Sequence, residues 1–300
     1  MTARTGLILD RVARAGPTRV VQLGLGDPDL AVALATAHLE YLLVEPSTQR
    51  ASDALARRPD LRRRCRTRMA GTLGRAALGG GPDAVVVDLA APSLSTTPLT
   101  TLVPQLSAAL RAGGTVLLAN LRDPRVERLL RWAGDGAATS TADAAGWSPP
   151  ALTRALLTLG VPAHVYPPLG TAAYDALLGR AAPTGSGPPL RWGRELGSTS
   201  HLARLLATGR VDRARVVGVP VAATAEALAS WQAHLGRQGR RPGAGVRWSR
   251  VRAIAAEHGY EATPVASLTA AEHHFDVVLE RVAPRDTAPV APRQEISSAP

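Results

Sequence analysis

Three apolar runs of β type each end in residues that can do chemistry. Val20–Leu23 leads into the turn Gly24-Leu25-Gly26, Tyr41–Val44 is closed by Glu45, and Ala84–Val87 is closed by Asp88. In a doubly wound α/β sheet, ligands bind beyond the carboxyl ends of the strands near the switch point, so these groups are expected to converge there. Glycine lets the backbone turn sharply and approach a ligand closely. A carboxylate ending the second strand can accept both hydroxyls of a ribose. Glu45 stands 19 residues beyond Gly26, which suits that role.

The turn also says which nucleoside ligand to expect. Asp27 reads as a helix N-cap with Pro28 at the first helical position. Asp27 and Asp29 place negative charge where a pyrophosphate would sit on the helix N-terminus, which argues against a dinucleotide. A phosphate-free ligand with a cationic centre fits better, and S-adenosylmethionine is such a ligand. Methyl transfer from a sulfonium is an in-line displacement in which positioning supplies much of the acceleration. Asp88 is the catalytic candidate, as a base or as the group that orients an accepting amine. The structural alternatives are an ordinary βα turn capped by Asp27 and, for Asp88, the polar end of a buried strand. His38 reads as a surface residue, and His164 and Tyr166 as secondary candidates on the acceptor side. His273 and His274 lack partners at metal-ligand spacing, so no metal is expected.

Composition narrows the chemistry further. All 35 Lys+Arg residues of the 300-residue chain are arginine. The absence of lysine excludes a Schiff base, pyridoxal phosphate anchoring, a P-loop ending in Lys-Ser or Lys-Thr, and kinase chemistry. Net charge is 35 − 24 = +11, and seven arginines fall between Arg57 and Arg68. One phenylalanine and four tyrosines give no stacking ladder, which argues against nucleic acid. The arginine run is either a solvated helix face or a docking site for an acidic protein partner. Cys65 is alone, which excludes an intrachain disulfide. The apolar run in the first sixteen residues is too short for a signal peptide and no stretch reaches transmembrane length, so a cytoplasmic protein without membrane contact is expected.

The pattern predicts a Rossmann-like doubly wound, mostly parallel α/β sheet. It should be closed by an antiparallel terminal hairpin near His164–Tyr166 and Tyr174–Leu178, and followed by a C-terminal α/β half-repeat. The expected organisation is a Rossmann domain over 1–181, a linker over 182–190, a subdomain over 191–284 and a disordered tail over 285–300. The half-repeat rests on three echoes: Val116-Leu117-Leu118 by Val216-Val217-Gly218, Trp147-Ser148 by Trp248-Ser249, and Tyr174-Asp175-Ala176-Leu177-Leu178 by Phe275-Asp276-Val277-Val278-Leu279. The second copy lacks the glycine turn, so an interface or lid is expected of it rather than a second cofactor site.

VVQLGLGDPDLAVAL, YLLVEPS, DAVVVDLA and LSAALRAGGTVLLANLRD together resemble the motif series of class I S-adenosylmethionine-dependent methyltransferases. The likeness is to the methyltransferase domains of nonribosomal peptide and polyketide synthetases. Ala119-Asn120-Leu121-Arg122 stands where that group carries a GDVR-like element, and AAYDALL and HHFDVVL resemble its RYDVVL-like strand. The resemblance implies a cofactor site made by Gln22, Gly24, Gly26, Asp27, Glu45 and Asp88, and a small-molecule or carrier-tethered acceptor in natural-product biosynthesis. Carrier proteins are commonly acidic, so the Arg57–Arg68 run would steer their docking. Gln22 stands where the family has an acid, Pro28 where it has a third glycine, and residues 88–94 lack the family's polar-aromatic stretch. These departures keep a second reading open: a methyltransferase-like protein without methyl transfer, acting as an accessory or interface subunit or as an epimerase-like enzyme. Monomer and homodimer both stay open.

Overall fold

The computed structural model describes residues 3–38, 40–69, 81–94, 98–109, 114–135, 146–169, 171–184, 188–234, 245–267 and 274–282. The expected helix stop at 112–114 falls mostly outside the described residues. The middle of the expected linker, His273 and the expected tail all lie outside them.

The first sheet uses β1 (Arg19–Leu23), β2 (Glu40–Glu45), β3 (Arg66–Met69), β4 (Ala84–Asp88), β5 (Thr115–Arg122), β6 (Ala163–Tyr166) and β7 (Ala173–Leu178). Their order is β3-β2-β1-β4-β5-β7-β6. The first five run parallel, and β7 is antiparallel to both β5 and β6. The chain therefore folds as the Rossmann-like doubly wound sheet with the antiparallel terminal hairpin expected. Its strands read as near-continuous apolar runs because both faces are covered. Val21, Leu23, Val85, Val87 and Leu118 pack into one core layer, and Val20, Leu43, Val86 and Leu117 into the other.

Helices α1 (Ala3–Ala13), α2 (Pro28–Ala37), α3 (Thr48–Arg57), α4 (Pro59–Arg64), α5 (Leu99–Ala109), α6 (Pro124–Asp135) and α7 (Pro149–Thr158) accompany this sheet. Sequence reading missed α1, although Ile8 and Val12, one turn apart, are both buried in the second layer. It also treated the basic stretch as one helix. Pro59 divides it, because proline supplies no N–H and disfavours helical backbone at Arg58, which has φ −129° and ψ 82°.

The second sheet has the order β10-β11-β9-β8, from β8 (Leu190–Arg191), β9 (Arg213–Pro220), β10 (Tyr260–Ala266) and β11 (His274–Arg281). With it go α8 (Thr199–Ala207), α9 (Ala222–His234) and α10 (Trp248–Glu257). The series β9-β11-β10 reproduces β5-β7-β6, with antiparallel pairing in both. A shared irregularity fixes the repeat's register. β5 breaks register between Leu118 and Leu121, and there Asn120 takes φ +61° and donates its N–H to Asp175 Oδ1 at 2.9 Å. In the second sheet Gly218 takes φ +75° and donates its N–H to Asp276 Oδ1 at 3.1 Å. Gly218 thus corresponds to Asn120 and not to Leu118, a two-residue correction that comes from the bulge.

Equivalent elements also meet each other. α6 packs on α9, and β6 lies against β10, where His164 Nε2 donates to Pro264 O at 2.9 Å. The half-repeats therefore face one another in an isologous manner, like two copies about a dyad.

Candidate functional site

The crevice beyond β1, β2 and β4 is built as the strand ends predict. Gly24 turns the chain with φ +79°. A Cβ there would meet Ala91 Cβ and Leu94 Cδ1 at 2.7 Å. At Gly26 it would stand 2.7 Å from the Ala90 carbonyl carbon and the Ala91 nitrogen. The glycines bring the turn against the segment following β4, and only residues without side chains permit that approach.

Two buried carboxylates hold the turn in place, and neither is exposed at all. Glu45 accepts from Leu25 N–H through Oε2 at 2.7 Å and from Ser47 N–H through Oε1 at 3.0 Å. Asp88 Oδ2 accepts from Gly26 and Asp27 N–H, both at 3.0 Å. Its Oδ1 accepts from Ala90 N–H at 3.2 Å and from Asn120 Nδ2 at 2.9 Å. Buried charge is tolerated where hydrogen bonds replace water, and here every carboxylate oxygen has at least one donor.

Gln22 is buried too, and it explains why an amide stands at this position. Tyr41 donates to Gln22 Oε1 at 2.8 Å, and Gln22 Nε2 donates to Gly24 O at 3.0 Å. An ionised carboxylate could accept the first bond but could not donate the second. Burial pushes the Tyr41 hydroxyl well above its usual range, so it stays a donor. Asp27 caps α2 as expected, with Oδ1 accepting from Asp29 N–H at 2.9 Å. Its Oδ2 faces Thr5 Oγ1 at 3.4 Å.

The unforeseen component is α1, which reaches the carboxyl end of β5 and the amino end of the antiparallel β7. Arg4 donates through Nε to Asn120 Oδ1 at 3.2 Å and pairs with Asp175, as does Arg11. Asp175 is fully buried, and the Arg11 guanidinium lies 3.8 Å from the centre of the Tyr166 ring. A chain of contacts thus runs from Arg4 through Asn120 to Asp88. Two signals in the sequence point to it: Asn120 is the sole asparagine, and the aspartate recurs in both YD and FD strands.

The remaining candidates lie elsewhere. His38 borders the end of α2, with Nδ1 at 3.3 Å from Pro17 O. His164 and Tyr166 stack at 3.9 Å on β6, where it meets β10. Burial pushes His164 down to about 4, so it is a neutral donor to Pro264. His274 opens β11 opposite Pro220. No group of three potential metal ligands occurs among the described residues. No helix among them is long and apolar enough to cross a membrane. Within the arginine run, Arg58 pairs with Asp29 at 2.5 Å and Asp60 at 2.9 Å, and Arg64 donates to Thr36. Arg57, Arg62, Arg63 and Arg66 are exposed.

The donor set can be tested against S-adenosylmethionine. Its types suit a nucleoside sulfonium: glycines at the turn, a carboxylate ending β2, and the acidic Asp27 and Asp29, with Arg58 already paired to Asp29 and Asp60. Each Glu45 oxygen keeps an acceptor site beyond its one backbone donor, so the carboxylate could still take ribose hydroxyls, but it is fully buried, and the crevice as folded would have to open to admit a nucleoside.

No protein-family model matches the chain, and no curated protein does. The structure is similar to the methyltransferase domain of bacterial CtHen1, with TM-score 0.44 and 13% identity over 58% of this chain and 96% of that one. It is similar to the glycopeptide N-methyltransferase MtfA, with TM-score 0.43 and 15% identity over 60% and 91%. It is also similar to the O-methyltransferase TomG from Streptomyces achromogenes, with TM-score 0.42 and 17% identity over 61% and 82%. Likeness of this degree carries no activity to this chain, and the fold rests on the strand order itself.

Proposed function

We propose that the chain is an S-adenosylmethionine-dependent methyltransferase acting on a small-molecule or carrier-tethered intermediate of natural-product biosynthesis. The observation that supports this most is the meeting of Gly24–Gly26, Glu45 and Asp88 in one acidic crevice beyond β1, β2 and β4. When bound, the cofactor supplies an electrophilic methyl group on sulfur. Glu45 would then hold the ribose, the N-terminal turn of α2 would set the depth of the nucleoside, and Asp88 would orient an accepting amine or take its proton. The exposed arginines around α4 would receive an acidic carrier protein.

A second reading has its own observation. The carboxylate oxygens of Glu45 and Asp88 are all engaged within the protein, and α1 is pinned to Asp175 beside them. A protein that keeps the fold but transfers no methyl group, serving as an accessory or epimerase-like subunit of a peptide synthetase pathway, would look like this.

Ultraviolet cross-linking of methyl-labelled S-adenosylmethionine, followed by peptide mapping, tests the first reading. Label is expected within residues 20–29, 41–47 or 84–94, and excess S-adenosylhomocysteine should displace it. Label elsewhere, or label that the competitor does not displace, contradicts the assignment.

A further inference from the structure

The half-repeat holds a cavity of about 410 Å³, within the range of small-molecule sites. It lies beyond the carboxyl end of β9, the end of an α/β strand at which ligands bind. Leu169, Val221, Val246 and Trp248 give it an apolar wall, and Arg247 and Glu226 supply its two charges.

The frame is rigid. Val246 N–H donates to Pro220 O at 2.7 Å, and Ala222 N–H donates to Val246 O at 3.2 Å. A Cβ on Gly245 would stand 2.3 Å from Ala222 Cα, so the segment before α10 is pressed directly onto the start of α9. Trp248 is set edge-on against Phe275, with ring centres 6.0 Å apart.

The two charges are the informative part. Both side chains are exposed, and neither makes an ion pair or side-chain hydrogen bond among the described residues. Arg247 occupies the N-cap position of α10 without a side-chain capping bond. Opposite charges that line one cavity without using each other are free to receive a ligand carrying both signs. We propose that this cavity binds a free α-amino acid with an apolar side chain. Arg247 takes the carboxylate, Glu226 the ammonium group, and the wall of Leu169, Val221, Val246 and Trp248 the side chain. Recognition of both ionic groups is what separates such a ligand from a fatty acid or an amine. The site lies apart from the Glu45–Asp88 crevice and does not depend on its cofactor.

Calorimetric titration of the whole chain with L-leucine, isocaproate and isoamylamine tests the proposal, since the last two each lack one charged group. Leucine should bind saturably and at least about tenfold more tightly than either analogue. Arg247→Gln should abolish the preference over isoamylamine, and Glu226→Gln the preference over isocaproate. Both residues are exposed, and circular dichroism verifies that the variants fold. Equal affinity for the three probes overturns the proposal, as does leucine binding that neither substitution changes. An absence of leucine binding at about 10 mM, weaker than the lowest affinities of specific recognition, overturns it too.

Discussion

Asn120 joins the sheet's two buried aspartates: its Nδ2 donates to Asp88 Oδ1 and its backbone N–H donates to Asp175 Oδ1, both at 2.9 Å. It can do both because it sits in the left-handed region, where its backbone and side-chain donors diverge to the two carboxylates. Asparagine tolerates that conformation better than most residues with a side chain. Replacement by alanine removes the half-buried amide that bonds Asp88 and keeps the backbone strain, so a loss of ~1–3 kcal/mol is expected by urea unfolding. Asn120→Gly should lose less, because it gives up the amide but relieves the strain.

Asp175 neutralises both Arg4 and Arg11, whereas its counterpart Asp276 pairs with Arg215, which is 35% exposed. Asp175→Asn would remove the ion-pair partner of two guanidinium groups, one of them only 4% exposed. A cost of ~3–5 kcal/mol is expected there and a smaller one for Asp276→Asn, read as the difference in unfolding midpoint.

The glycine turn makes a steric prediction. Gly26→Ala would drive Cβ into the backbone of Ala90 and Ala91, which cannot move without displacing β4, so a loss of ~1–3 kcal/mol is expected. Any ligand that enters the crevice should lose affinity in the same variant, because the turn would shift.

His164 gives the fold a pH dependence. It is neutral when folded, with burial holding it down to about 4, against 6.5 ordinarily. Between these values the unfolded chain binds a proton that the folded chain does not, so stability is full above 6.5 and declines as pH falls towards 4. The loss should approach ~3 kcal/mol below that point. His164→Gln should flatten this part of the stability profile, and a profile unchanged by the substitution would contradict the assignment.

The convergence of Gly24, Glu45 and Asp88 was legible because strand ends are marked by abrupt changes from apolar to acidic or glycine residues. The contacts those residues make were not. Glu45 and Asp88 read as groups offered to a ligand, but the structure has them holding Leu25, Gly26 and Asp27 N–H, since periodicity does not show which backbone donors lie within reach. α1 was overlooked because its apolar run was weighed only against the length of a signal peptide, and nothing near Arg4 and Arg11 in the sequence marks them as paired. Their partner Asp175 is distant in sequence, and only the bulged pairing of β5 with β7 brings it near. The half-repeat was visible as an echo of motifs, yet its register came out two residues off because apolar runs align at more than one offset, and only the bulge shared by β5 and β9 fixes the right one.

Methyl transfer requires the buried crevice at Glu45 and Asp88 to open to S-adenosylmethionine and to release its thioether product. Calorimetric titration with S-adenosylhomocysteine addresses this opening most directly, on the wild type and on Glu45→Gln. Saturable binding by the wild type, lost or weakened at least about tenfold in a folded Glu45→Gln variant, is the predicted result. An absence of binding at millimolar ligand, or binding indifferent to Glu45, would contradict it and leave the reading without methyl transfer in its place.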